Sequence, residues 1–156
     1  RALLLDPQNA DMTAQTEMLL YAAARAQHVR QVIRPALCAG RIVVCDRFVH
    51  SSLAYQGYGR GLGEDQVRAA NAPALDGLEP DLILYFRLPE GVGLARKRAD
   101  APLDRIERER ADFHSRVRRG YDAVLLHHPR ALTLTADDPV EAIHRRILAA
   151  VLGMLP

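Results

Sequence analysis

The residues best suited to chemistry lie between positions 41 and 63, RIVVCDRFVHSSLAYQGYGRGLG. The run Ile42, Val43, Val44, Cys45 is short, apolar and rich in β-branched residues, which predicts a strand over 41–46 buried on both faces of a parallel sheet. It ends abruptly in Asp46 and Arg47. In open α/β sheets ligands bind beyond the carboxyl ends of the strands, so an acid and an arginine there would meet a charged substrate. An apolar strand closed by Asp is also the pattern by which a carboxylate holds Mg²⁺ beside nucleotide phosphates. The plainer alternative is an acid that merely ends a buried strand. Arg47 adds a phosphate-type donor, and Ser51, Ser52, Tyr55 and Gln56 add neutral donors and acceptors suited to a sugar and a base edge.

A second candidate pair sits on a helix predicted over 12–34, where Met18, Ala22, Arg25, Val29 and Val32 recur at three- and four-residue steps and Pro35 ends or kinks the run. Tyr21 and Arg25 are i and i+4, so a ring and a planar guanidinium share one face. Together they could stack on a pyrimidine and hydrogen-bond its edge; the competing possibility is a core tyrosine with an arginine snorkelling past it. Residues 96–110 are dense in charge, with Arg96, Lys97, Arg98, Arg105, Arg108 and Arg110 against Asp100, Asp104, Glu107 and Glu109. By themselves they suggest a solvated face whose ion pairs contribute about 0.3–0.5 kcal/mol each. His127 and His128 are adjacent rather than on one face, which argues against a metal site, and Cys38 and Cys45 match no metal or redox spacing.

The segment DRFVHSSLAYQGYGRG closely resembles the DR(Y/F)xxSSLAYQGxxRG stretch of bacterial thymidylate kinases, which phosphorylate dTMP from ATP. Further matches, TEMLLYAAARAQHV, VIRPAL, GLEPDLILY and LDRIERE, follow in the family's order along nearly the whole chain. The resemblance implies one thymidylate-kinase-like domain over 1–156 with a lid at about 96–110. Its fold would be α/β, a parallel sheet wrapped by helices, of the P-loop nucleoside monophosphate kinase type. It implies dTMP and ATP as substrates, Mg²⁺ as cofactor and a homodimer.

Residue by residue, the resemblance has Arg47, helped by Arg1, hold the acceptor phosphate. Tyr21 would stack the base, Arg25, Ser52 and Gln56 would read its edge, and Ser51 would join them in the substrate site. Tyr55 would lie against the sugar where a 2′-hydroxyl would crowd it. Asp46 and Glu107 are candidates for the magnesium shell, and Arg98 or Arg105 for the transferring phosphates. Two positions depart from the family pattern: Arg87 follows the strand 81–86 where an acid is usual, and Asp100 stands where some members carry an arginine.

The chain begins at Arg1, and no G-x-x-x-x-G-K-[ST] phosphate loop occurs in it. Family members carry that loop on a preceding segment, so the chain is expected to be the C-terminal part of a kinase, inactive alone. The family's first strand lies mid-sheet, and a gap or rearranged pairing is expected between 41–46 and 81–86. The alternatives are another P-loop nucleotide kinase, or a non-catalytic fragment whose helices 12–34 and 64–71 pack on a twin.

The remaining elements follow from pattern. The glycines at 57, 59, 61 and 63 predict a flexible loop, residues 64–71 a short helix, and DLILYF (81–86) and ALTLT (131–135) two further strands. Ile106, Phe113, Val117, Tyr121 and Val124 mark an amphipathic helix stopped by Pro129. Asp138, Pro139 and Glu141 predict a capped helix start, with Val140, Ile143, Ile147 and Val151 buried beyond it. A length of 156 residues suits one domain. A net charge of +2 offers no field for nucleic acid, and twenty arginines beside the single Lys97 chiefly reflect codon preference. No apolar run approaches a membrane span and no signal segment opens the chain, so a cytoplasmic location without membrane contact is expected.

Overall fold

In the computed structural model the described residues are 2–88, 92 and 104–154. They fall into two compact units, Arg1–Glu79 with Leu103–Val124, and Pro80–Pro102 with Leu125–Pro156.

The first unit is helical. Helix α1 (Ala2–Leu5) leads through a 3₁₀ turn (Pro7–Asn9) to α2 (Ala14–His28). The start of α2 is fixed by Thr13, whose hydroxyl accepts the Thr16 N–H at 3.2 Å. Pro35 does not end the run. The backbone widens into a π turn (Val29–Ile33), in which Arg34 donates its N–H to the Val29 carbonyl five residues back, and continues as α3 (Arg34–Cys38). A wide turn there relieves the clash between the proline ring and the carbonyl of residue 31, so the helix bends its hydrogen bonding instead of stopping.

The strand expected over 41–46 is absent. Ile42–Cys45 is irregular, with Ile42 69% and Val44 93% exposed. Its composition suits a buried strand, but a strand needs neighbours to pair its N–H and C=O groups and to cover its faces. Among the described residues no ladder reaches it, and 83–87 pairs instead with 131–135. Asp46 and Arg47 therefore lie in an exposed bend, with Arg47 at φ +67°, the left-handed region a bulky side chain seldom adopts.

Helix α4 (Val49–Ser52) follows and runs into a second π turn, Leu53–Gly59. The expected flexible loop is thus half structured: Arg60 donates to the Tyr55 carbonyl at 2.8 Å, and Gly57 and Gly59 are buried. Gly59 is needed for close approach, because a Cβ there would lie 2.7 Å from Val117 Cγ2. Helix α5 (Glu64–Leu75) runs four residues beyond the expected end and carries Pro73 within it. Helix α6 (Ala111–Leu125) presents Phe113 and Val117 to a core with Ala54 and Ile106, against which Leu5, Tyr21, Tyr55 and Tyr121 pack. A second cluster joins Met18, Leu53 and Val67.

The second unit contains β1 (Ile83–Arg87) parallel to β2 (Ala131–Thr135), in register from Ile83–Ala131 to Arg87–Thr135. Helix α7 (Val140–Leu152) follows. Asp138 does not cap it: Pro139 occupies the cap position with no side-chain bond, and Asp138 lies 4.0 Å from Arg146 instead. Nor is its apolar face buried, for Val140 is 76% exposed and Ile143, Ile147 and Val151 are only half covered. Two strands offer too small a face to bury such a helix.

Candidate functional site

Two strips of side chains face each other in the first unit. On α2, Glu17, Tyr21 and Arg25 recur every four residues and so share one side. Opposite them, Ser52 ends α4 and Gln56 lies in the π turn, also four residues apart. Two polar contacts join the strips. The Arg25 Nη2 donates to Ser52 Oγ at 2.9 Å, and Gln56 Nε2 donates to Glu17 Oε1 at 2.8 Å. Tyr21 occupies the turn between them, half-buried against the aromatic core.

Arg25 is held by neutral groups. Besides Ser52 it donates to Asn71 Oδ1 and, at 3.4 Å, to the Phe48 carbonyl, and its guanidinium stands 5.7 Å from the Phe48 ring centre. Asn71 is fully buried, and its amide nitrogen is tied to the Val67 carbonyl at 2.8 Å, which presents the oxygen to Arg25. Burial without a carboxylate partner pulls the Arg25 pKa down to about 10, against smaller opposing effects of Cys45 and Tyr21.

The hydrogen-bond and ring contacts of Arg47 are also with neutral groups. Its Nη1 donates to the Tyr121 hydroxyl at 3.3 Å, and its guanidinium lies 5.4 Å from the Tyr55 ring centre. Burial opposes its charge, but Tyr121, Tyr55 and Asp46 outweigh that and hold its pKa above the ordinary value. Tyr121 meets Ser51 Oγ at 2.7 Å and Tyr55 edge to face at 6.1 Å. Among the described residues neither Arg25 nor Arg47 forms an ion pair. Tyr21 and Tyr55 pack on the same core cluster, and Ser51 and Ser52 are adjacent, so Tyr21, Arg25 and Arg47 belong to one neighbourhood.

Arg105 is buried and bonded within the first unit. It is 6% exposed, with Nε on the Leu4 carbonyl at 2.9 Å and Nη2 on Glu17. Glu17, fully buried, also takes a two-pronged contact from Arg60, at 3.2 and 2.9 Å, and Arg60 extends to Glu109. Burial pushes the Glu17 carboxyl up, and the bonds from Arg60, Gln56 and Arg105 more than offset it, so its pKa lies below the usual value. Gln56, 1% exposed, belongs to this cluster through its nitrogen.

The two magnesium candidates differ in their surroundings. Glu107 Oε2 accepts the Asp104 N–H at 3.1 Å while Asp104 Oδ1 accepts the Glu107 N–H at 2.9 Å, a closed local turn. Among the described residues no group of three His, Cys, Asp or Glu side chains could hold a metal. Asp46, exposed, remains as a single carboxylate, the donor count Mg²⁺ commonly takes when phosphates and water fill its other positions. Arg1 and Arg98 lie outside the described residues.

Residue types alone missed Glu17, Asn71 and the hydroxyl of Tyr121. The available signal for Glu17 was its four-residue spacing from Tyr21 and Arg25, which puts an acid on the inward stripe. Asn71 carried no such signal, because an asparagine on a helix is ordinarily solvated.

The family model for thymidylate kinase matches residues 1–147. The thymidylate kinase of Latilactobacillus sakei subsp. sakei is 47% identical over 97% of this chain and 72% of its own length. That of Halothermothrix orenii is 49% identical over 99% of the chain and 75% of its own, and that of a Geobacillus strain 42% over the same shares. With a family model spanning nearly all of it and relatives this similar, the chain belongs to the thymidylate kinase family and carries an α/β fold of the P-loop nucleoside monophosphate kinase type.

Proposed function

We propose that the two facing strips bind dTMP as the acceptor in phosphoryl transfer from ATP, giving dTDP. The observation that supports this most is a pair of arginines whose hydrogen bonds go to neutral groups and which, among the described residues, form no ion pair. Glu17 and Glu109 between them neutralise Arg60 and Arg105, whereas Arg25 and Arg47 keep their charge for a ligand. Family membership supplies the ligand class.

In this proposal the base stacks on Tyr21, with its 4-oxo group toward Arg25 and Ser52 and its N3–H toward Gln56. Tyr55 lies along the sugar, Ser51 steadies Tyr121, and Arg47, with Arg1, holds the 5′-phosphate. Such transfer depends on positioning and charge neutralisation more than on covalent chemistry by the protein. Asp46 would supply the protein carboxylate for Mg²⁺, which when bound would supply positive charge to offset that of the phosphates. Arg98 keeps the role of contacting the transferring phosphates, and Arg105 is assigned to architecture.

Arg47→Ala tests the proposal. Removing a charge-assisted donor worth roughly 1.5–3 kcal/mol should weaken dTMP binding about 10- to 100-fold in calorimetric titration, with the melting temperature little changed. Undiminished dTMP affinity in this variant would refute the acceptor assignment. A homodimer is proposed from exposed Leu19 and Val32 on the α2–α3 run, 56% and 52% accessible, and sedimentation would reveal a monomer if it is wrong. No described helix is long and apolar enough to cross a membrane, which is compatible with the cytoplasmic site of nucleotide synthesis proposed here.

A further inference from the structure

We infer that Glu17 is a specificity-determining positioning residue: its buried carboxylate fixes the Gln56 amide so that only the carbonyl oxygen can face the base. The inference rests on the dTMP-binding proposal and extends it to a residue that does not touch the ligand.

A glutamine side chain is ambiguous, since its amide can rotate by half a turn and exchange an acceptor for two donors. The ambiguity is removed if one end meets a group that can only accept. Glu17 is such a group: it is 0% exposed and its oxygens take hydrogen bonds from Arg60 and Arg105 as well as Gln56. With two guanidinium groups on it the carboxylate stays ionised and has no proton to give. A flipped Gln56 would aim its oxygen at that anion, leaving a donor unused and two acceptors in contact in a dry site. The amide nitrogen must therefore point at Glu17 and Oε1 away from it. Among the described residues nothing donates to Oε1.

Placement gives this orientation a consequence. Gln56 lies one turn from Ser52, which binds Arg25, and Glu17 lies one turn from Tyr21, the stacking surface. The strip thus offers a donor-only guanidinium at one level and an acceptor-only carbonyl at the next. A pyrimidine with a 4-oxo group and an N3–H matches that order. Cytosine, with an amino group and an N3 lone pair, opposes it at both positions. A site whose buried polar groups cannot reorient rejects the wrong edge far more strongly than one that can.

The test compares dTMP with dCMP by calorimetric titration of wild type, Glu17→Gln and Glu17→Asp. In Glu17→Gln the new side chain can offer either end of its own amide, so Gln56 becomes free to turn. In Glu17→Asp the shorter carboxylate keeps its charge on the arginines but withdraws it from Gln56. The dTMP preference should fall at least tenfold in Glu17→Gln and several-fold in Glu17→Asp, without vanishing, because Arg25 still opposes the cytosine amino group. A purely structural role would lower the melting temperature and leave the ratio of the two dissociation constants unchanged. Nuclear magnetic resonance of ¹⁵N-labelled wild type, which needs no variant to fold, should show the Gln56 side-chain amide as a slowly exchanging pair with one proton shifted downfield. Rapid solvent exchange of both protons, or an unchanged preference in whichever variant folds, overturns the inference. Failure of the wild type to prefer dTMP would instead sink the dTMP proposal, and this inference with it.

Discussion

Two glycines two residues apart in the Leu53–Gly59 turn should respond to alanine in opposite directions. At Gly59 a new Cβ would lie 2.7 Å from Val117 Cγ2 and 2.8 Å from Phe113 Cε2, well inside the 3.4 Å at which ordinary contact begins. Neither neighbour can yield cheaply. Val117 and Phe113 are 5% and 2% exposed, and Phe113 supports Arg60 at 4.7 Å and Tyr55 at 6.2 Å. Overpacking of this kind costs about 1–3 kcal/mol, against which the helical preference of alanine over glycine returns at most about 1 kcal/mol. The clash wins, and Gly59→Ala should lose about 1–2 kcal/mol. At roughly 2–4 °C per kcal/mol for a chain of this size, the melting temperature falls by about 2–8 °C. At Gly57 the nearest atom to a new Cβ is the Gly63 carbonyl oxygen at 3.5 Å, an ordinary contact. There the entropic gain is unopposed, and Gly57→Ala should be neutral or stabilising by up to about 1 kcal/mol. Differential scanning fluorimetry of the two variants decides the matter. Equal melting temperatures, or a more stable Gly59→Ala, would refute the packing assigned to this turn.

Two further outcomes concern the buried carboxylate. Arg60→Met removes the two-pronged partner of Glu17 but leaves Arg105 and Gln56, so the loss should fall at the lower end of the 3–5 kcal/mol typical of breaking a buried pair, about 3 kcal/mol by urea unfolding. A change below about 0.5 kcal/mol would show that the cluster holds nothing together. The Glu17 pKa is depressed below its ordinary 4.5, so between the folded and unfolded values the unfolded chain binds more protons and stability rises with pH. Its contribution is therefore present above pH about 4.5 and is lost as pH falls through the lower folded value. Glu17→Gln should flatten that acid limb, as measured by unfolding at a series of pH values, and an unaltered limb would assign the acid sensitivity elsewhere.

Much of the architecture follows from local pattern. Strand 131–135 forms where the pattern puts it, and Phe113, Val117, Tyr121 and Val124 do lie on one helix, although Ile106, expected to open it, sits in the turn before Ala111; the i, i+4 pair Tyr21 and Arg25 shares one face. Expectations failed where the outcome depends on partners distant in the chain. Ile42–Cys45 has every local mark of a buried strand, yet strand formation is a property of pairs, and no described neighbour pairs with it. The glycines at 57 and 59 suggest mobility one residue at a time, whereas the approach of α6 makes Gly59 a packing position. Asp138 and Pro139 spell a helix start, but the chain enters α7 one residue later than the capping pattern requires. Glu17 and Arg105 illustrate the same limit for charge. Arg105 looks solvated within its own charge-dense segment, and its contact with Glu17, 88 residues away in the chain, is among those that let both be buried.

A crystal structure of the protein with dTMP would test the acceptor site without intermediaries. It should show the thymine ring stacked on Tyr21, its O4 on Arg25, its N3–H on Gln56 Oε1 and its 5′-phosphate on Arg47. A nucleotide seated elsewhere, or a phosphate turned away from Arg47, would contradict that assignment.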